Sequence, residues 1–374
     1  MMMPLSHNVA ALDESNKDIN KQHSQIKWSW ACRMLNGEYL IGELDAINDT
    51  PAVGDLGLFR VTHVGCHERL IDTSNKKMRI YQGDLFIGVF GNRYATDAFE
   101  AEVEGLKDLS LLTTAGMVGS VKSRHNSIGR STEVLFLGFL KDKSSNQKVN
   151  TKQIIFQQRH PNLDKPKPKG TTNLLAVVGS GMNAGKTTFV RKLVKSFSQQ
   201  GLVVAACKLT GSISPRDYDE MVSASAFYAT DFSDYGFPST YKCEEKELIE
   251  LFETMLTDME TVHPDIIIME IADGVLERET NFLLSEPLFK NRVSGMAVAA
   301  DSAPSALYTV HFLENLGYKI NALSGAITSS PLYVKEFEKS STIPIISSAK
   351  ATMTLGSAFG DLTTKKRRKH PNLV

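Results

Sequence analysis

Residues 179–188 read Gly179-Ser180-Gly181-Met182-Asn183-Ala184-Gly185-Lys186-Thr187-Thr188, and their types and spacing suit phosphate chemistry. A loop that wraps a phosphate must turn several backbone N–H groups inward with no Cβ atoms in the way, so glycines recur. Lys186 supplies a point charge for β- and γ-phosphates, Thr187 a hydroxyl ligand for Mg²⁺, and Thr188 a hydrogen bond to the α-phosphate. The commonest spacing would require glycine at Ser180; here the first glycine stands one place earlier, giving G-x₅-G-K-T-T.

Such a loop needs a strand to deliver it and a helix to receive it. The apolar run 174–178 supplies the strand, and the stripe Phe189, Val190, Leu193, Val194, Phe197 has helical spacing. The helix N-terminus adds free N–H donors and the positive end of its dipole. A second buried-type strand over 202–209 ends in Cys207-Lys208-Leu209-Thr210-Gly211. In a parallel α/β sheet the carboxyl ends of strands line one crevice, so Lys208, Thr210 and Gly211 should face the same crevice as Lys186. Asp217, Asp219 and Glu220 follow, where a loop turns into a helix.

The stripe Leu248, Leu251, Phe252, Met255, Met259 predicts a helix over 244–262, stopped by His263-Pro264. Next comes Asp265-Ile266-Ile267-Ile268-Met269-Glu270-Ile271-Ala272-Asp273-Gly274. An apolar run closed by an acid suits a Mg²⁺-binding strand end, with Glu270 opposite Thr187. Asp273 suits either a helix N-cap or a substrate-steering carboxylate. Strand-like runs at 295–300, 320–327 and 343–347 alternate with helical stretches at 306–316 and 332–338. The alternation predicts an α/β fold with a doubly wound, mostly parallel sheet over 173–362.

The first half differs. From residue 28 to 163, short apolar runs at 56–64, 78–80, 85–90, 109–112 and 134–140 are broken by glycine turns, which predicts a smaller β-rich domain, a barrel among the options. Within it, His63, Cys66, His67 and Glu68 fall close together and raise the question of a metal, although no second ligand pair follows. Arg93 and Tyr94, just past the run ending at Phe90, suit a ligand-facing loop that could grip a phosphate or carboxylate, or a solvated turn with Arg93 paired to Asp97. Arg124 and His125 form a weaker set of the same kind. Residues 1–27 read as a disordered leader, the Lys/Pro stretch 164–172 as a linker and 363–374 as a solvated basic tail.

Bulk electrostatics push toward neither nucleic acid nor membrane, since 42 Lys and Arg balance 42 Asp and Glu. No apolar run reaches the ~18–20 residues of a bilayer span, and the start lacks a signal-peptide core. A cytoplasmic location is expected, with the four dispersed cysteines reduced.

Over about residues 173–350 the chain resembles the dethiobiotin synthetase branch of P-loop NTPases, and is similar to uncharacterised P-loop domains of that branch. The resemblance is carried by Gly179-x₅-Gly185-Lys186-Thr187, Lys208 with Thr210-Gly211 after it, the acid at 217 and Glu270. It implies that Lys186 and Lys208 grip phosphates and a substrate carbamate, that Asp217 and Glu270 bind Mg²⁺, and that the protein dimerises. The family's Glu-Gly-Ala-Gly-Gly segment is here Glu270-Ile271-Ala272-Asp273-Gly274, so the approach to substrate differs. Partition and nitrogenase-type ATPases carry an extra lysine where this chain has Gly181. Ras-type GTPases read guanine with Asn-Lys-x-Asp, and the late strand here is followed by Thr328-Ser329-Ser330-Pro331, which favours ATP. The expectation is an Mg²⁺–ATP-dependent enzyme passing the γ-phosphoryl group to a small-molecule carboxylate or carbamate, with Lys186, Lys208 and Asp273 at the chemistry. The alternatives are a nucleotide-dependent switch or adaptor acting with a protein partner, and a kinase acting on a hydroxyl with Asp217 or Asp273 as base.

Overall fold

A computed structural model describes residues 8–9, 26–42, 50–156, 172–347 and 358–363. Most of the polar leader, the linker through residue 171 and the basic tail from 364 lie outside the described residues. The chain divides into two compact units. The first takes residues 1–164 with 211–215 and 232–243; the second takes 165–210, 216–231 and 244–374.

The first unit is built from β1 (Asn8–Val9), β2 (Lys27–Trp28), β3 (Glu38–Ile41), β4 (Leu56–His63), β5 (Arg69–Ile71), β6 (Lys77–Arg79), β7 (Leu85–Phe90), β8 (Arg93–Tyr94), β9 (Phe99–Glu102), β10 (Leu109–Leu111), β11 (Met117–Arg124) and β12 (Thr132–Asp142). Strand β12 pairs with β4, β4 with β7, β7 with β11, β11 with β10, and β10 again with β12, so the sheet closes into a ring. Closure leaves these strands no free edge. Phe59 packs inside against Phe86, Phe90 and Phe136, with ring centroids 5.5, 5.3 and 5.6 Å away.

Two short segments from the second half of the sequence belong to this unit. Ile213 joins its core beside Leu56 and Val89, Tyr241 donates its hydroxyl to Glu100 Oε1 at 3.2 Å, and Arg33 pairs with Asp234. Neither segment carries a periodic pattern, so nothing local in the sequence separates them from the α/β half.

The second unit contains β13 (Asn173–Gly179), α1 (Lys186–Gln199), β14 (Val204–Lys208), α2 (Pro215–Ser223), β15 (Tyr228–Asp231), α3 (Glu245–Glu260), β16 (Ile266–Glu270), α4 (Arg278–Ser285), α5 (Pro287–Arg292), β17 (Gly295–Ala299), α6 (Ala303–Asn315), β18 (Ile320–Ser324) and α7 (Pro331–Glu338). Its strands run in the order β15-β14-β16-β13-β17-β18, and every pairing is parallel. The middle strands read as unbroken apolar runs because helices cover both faces of such a sheet; residues 174–178, 266–269 and 296–299 are all fully buried. The stripe of α1 packs into this core, where the Phe197 ring meets Phe359 edge-on at 5.9 Å.

Two sequence expectations shorten here. The run 320–327 is strand only to Ser324, because Gly325 turns the chain at φ 104°. The run 343–347 contributes a single parallel bridge, Leu323 to Ile345; Pro344 beside it has no N–H to extend the ladder.

Candidate functional site

Strand β13 ends at Gly179 and α1 begins at Lys186, so the loop between them spans six residues. Asn183 and Gly185 take positive φ, 61° and 99°. Asparagine tolerates that region. Gly185 is also required by space, since a Cβ there would lie 2.9 Å from the Gly325 Cα. The loop is clasped from the far side, where Ser180 N–H donates to Ala299 O at 2.9 Å and Ala326 N–H to Ala184 O at 3.0 Å. A Cβ on Gly181 would meet nothing within 4 Å. No side chain caps α1, so its first-turn N–H groups remain available to an anion.

Sheet register then sets the neighbours of the loop. Lys208 lies opposite Glu270 on adjacent strands, and Glu270 opposite Val177. Asp217 arrives in the first turn of α2. The Thr187 hydroxyl is 3.1 Å from Asp217 Oδ1 and 3.0 Å from Glu270 Oε1. One hydroxyl proton can serve only one of these acceptors. Asp217 Oδ2 takes the Lys208 ammonium, while Glu270 Oε2 is buried with no hydrogen-bond partner among the described residues. Burial drives the Glu270 carboxyl above its ordinary value. Burial pushes Asp217 upward too, but the adjacent Lys208 outweighs it and the net direction is down. For Lys208 burial is outweighed by Asp217 and Glu270, which raise it; for Lys186 burial prevails and lowers it.

The Lys186 ammonium, on a residue 6% exposed, donates to Gly181 O at 2.9 Å and to Asp273 O. Asp273 thus meets Lys186 through its backbone carbonyl. Gly274 comes so close to the loop that a Cβ there would lie 2.7 Å from the Gly181 Cα. A strand-end glycine loop leading into a helix, on a parallel sheet ordered 3-2-4-1-5-6, defines the architecture. This is the P-loop NTPase fold.

No family model and no curated protein matches the sequence. Among solved structures the chain is similar to the kinase domain of Escherichia coli tyrosine kinase ETK, at 15% identity over 41% of this chain and 66% of that one, TM-score 0.31. It is similar to the signal recognition particle receptor FtsY of Elizabethkingia anophelis in complex with GDP, at 17% identity over 58% and 71%, TM-score 0.34. A third likeness is to the chimerical protein CapA2B2, at 14% identity over 42% and 76%, TM-score 0.30. The chain therefore spans just under two thirds of the ETK kinase domain. At these scores none of the three assigns a residue, a substrate or an activity to this chain.

Within the second unit the structure brings together Lys186, Thr187, Lys208, Asp217, Glu270 and Asp273. Thr188 is exposed on the first turn of α1. The Thr210 hydroxyl accepts Ala272 N–H at 2.8 Å and donates to Ala272 O. Gly211 belongs to the first unit, where its N–H donates to Thr240 Oγ1 at 2.9 Å. Arg93 and Tyr94 are also in the first unit: the Arg93 guanidinium donates to Leu112 O and lies 5.7 Å from the Phe99 ring, and Tyr94 packs on Tyr241. The stretch from His63 to Glu68 makes a connection in which Gly65 N–H donates to Thr132 Oγ1 at 2.9 Å and Glu68 pairs with Arg79. Among the described residues no group of three or more His, Cys, Asp or Glu is arranged around a metal-ion position. His125 closes a turn on Ser127 at 2.7 Å.

Sequence reasoning missed Thr280 and Asp301. Thr280 carries no motif. Asp301 ends an apolar run just as Glu270 does, and its Oδ1 accepts the Ser180 hydroxyl at 3.4 Å. Among the described residues no helix is long and apolar enough to cross a membrane.

Proposed function

We propose that the second unit binds Mg²⁺–ATP and that the chain is a ligase-like phosphotransferase acting on a small-molecule carboxylate or carbamate. The observation that carries this is the convergence of Thr187, Asp217 and Glu270 beside two lysines at the mouth of the glycine loop. A hydroxyl with two carboxylates is a hard oxygen set that suits Mg²⁺, and the orphaned Glu270 Oε2 fits a carboxylate built to face a cation or its water. Bound there, Mg²⁺ would neutralise charge building between the terminal phosphates.

The protein's own groups would do the rest. Loop N–H groups and Lys186 hold the β- and γ-phosphates, which requires Lys186 to exchange the Gly181 and Asp273 carbonyls for phosphate oxygens. Lys208, fixed by Asp217, supplies the second charge where the acceptor carboxylate meets the γ-phosphorus. An acceptor oxygen forms the new P–O bond as the bond to the β-phosphate oxygen breaks, leaving ADP and an acyl phosphate for a second nucleophile. The resemblance to the dethiobiotin synthetase branch supports a carboxylate-type acceptor, and the missing Asn-Lys-x-Asp supports adenine.

The test is ADP release by the full chain against a panel of small carboxylates and carbamates, with hydroxylamine present to trap acyl phosphate as hydroxamate. An acceptor should raise turnover by at least about tenfold, ~1.4 kcal/mol of barrier, with hydroxamate formed. Lys208→Ala should lower that turnover by about 10²–10³. Uniformly slow ADP release with no hydroxamate would remove the ligase-like reading and leave the switch or adaptor.

A further inference from the structure

The strip that follows Glu270 folds over the phosphate loop, and both backbone polar groups of one residue in it, Ala272, are tied to buried hydroxyls. Ala272 O accepts two hydroxyls, from Thr210 and from Thr280 at 2.8 Å, while Ala272 N–H donates to Thr210 at 2.8 Å. Both lone pairs of that carbonyl and its neighbouring N–H are therefore used. Thr210 and Thr280 are 1% and 0% exposed, so water cannot replace either hydroxyl. Thr280 is itself fixed by the start of α4, where its N–H donates to Glu277 Oε2 at 2.9 Å. Downstream of the clamped peptide, Asp273 O holds the Lys186 ammonium, Gly274 lies against Gly181 and Ser180, and Val275 N–H donates to Gly179 O at 3.1 Å.

We infer that Thr280 is a positioning residue of the phosphate site: paired with Thr210, it anchors the Ala272 carbonyl and so holds residues 273–275 against the glycine loop, setting where the Lys186 ammonium stands. The nucleotide consequence rests on the Mg²⁺–ATP reading, but the clamp itself does not. Losing the Thr280 hydroxyl frees one lone pair of a buried carbonyl and loosens a strip that carries a Lys186 partner. Because Lys186 serves the β- and γ-phosphates, the loss should fall on the triphosphate more than on the diphosphate.

Thr280→Val removes the hydroxyl and Thr280→Ser restores it. In the full chain, amide hydrogen exchange at Val275 should be about tenfold faster in Thr280→Val than in wild type, as expected for the loss of one buried hydrogen bond, and near wild type in Thr280→Ser. Calorimetry with Mg²⁺ should show Thr280→Val binding ATP about tenfold more weakly, ADP little changed, and Thr280→Ser restored. Unchanged exchange at Val275 in Thr280→Val overturns the clamp. A parallel loss of ATP and ADP that serine does not restore overturns its role at Lys186. If wild type binds no nucleotide, the parent reading fails while the exchange result still decides the clamp.

Discussion

Glu270 shows how one side chain can be recognised and still be only half understood. Its place, an acid closing an apolar strand, is readable in the sequence, because the run 266–269 is unbroken and the charge follows it directly. Its environment is not, since the approach of Thr187 and the pairing of Asp217 with Lys208 depend on sheet register and on where α2 starts. Glu270→Gln keeps the shape and removes the charge. Mg²⁺–ATP affinity should fall by more than about tenfold, while affinity for ATP with EDTA stays at the wild-type level. Equal losses with and without Mg²⁺ would contradict a metal role. Arg93 teaches the reverse lesson. An arginine past an apolar run looks free to meet a ligand, but its guanidinium donates to Leu112 O, just past β10 further along the chain, and lies over the nearby Phe99 ring.

Among the elements, β13, α1 and β16 were legible almost to the residue because their apolar periods are strong. The start of α4 was not, because what builds it is a pair of acids. Burial first, and then a hydrogen bond and charge repulsion from Glu279, push the Glu277 carboxyl up to about 9. Arg278 pairs with Glu279 on the same turn, and Glu277 still accepts Thr280 N–H. A carboxyl whose folded value lies above its unfolded one favours the folded state fully at pH below about 4.5, and that contribution is lost as pH rises through about 9. Wild type should therefore lose stability relative to Glu277→Gln between those limits, measured as the gap between their urea midpoints across pH. Parallel midpoints over the whole range would show that Glu277 ionises in the fold without cost.

At the scale of the molecule, composition and pattern foretold an α/β half with a parallel sheet and a β-rich half, and the ring of β4, β7, β10, β11 and β12 adds closure to the latter. The pattern could not foretell that residues 211–215 and 232–243 leave the ends of β14 and β15 to join the first unit. Ile213 and Phe237 are apolar residues in short irregular segments, and periodicity has nothing to work on there. The proposed nucleotide site of the second unit centres on its glycine loop, so the most direct measurement is calorimetric titration of the full chain with Mg²⁺–ATP and with Mg²⁺–GTP, for wild type and Lys186→Ala. Wild type should bind ATP in preference to GTP, and Lys186→Ala should bind it at least about a hundredfold more weakly, ~2.7 kcal/mol. Absence of nucleotide binding in wild type, or undiminished binding in Lys186→Ala, would contradict a nucleotide site at this loop.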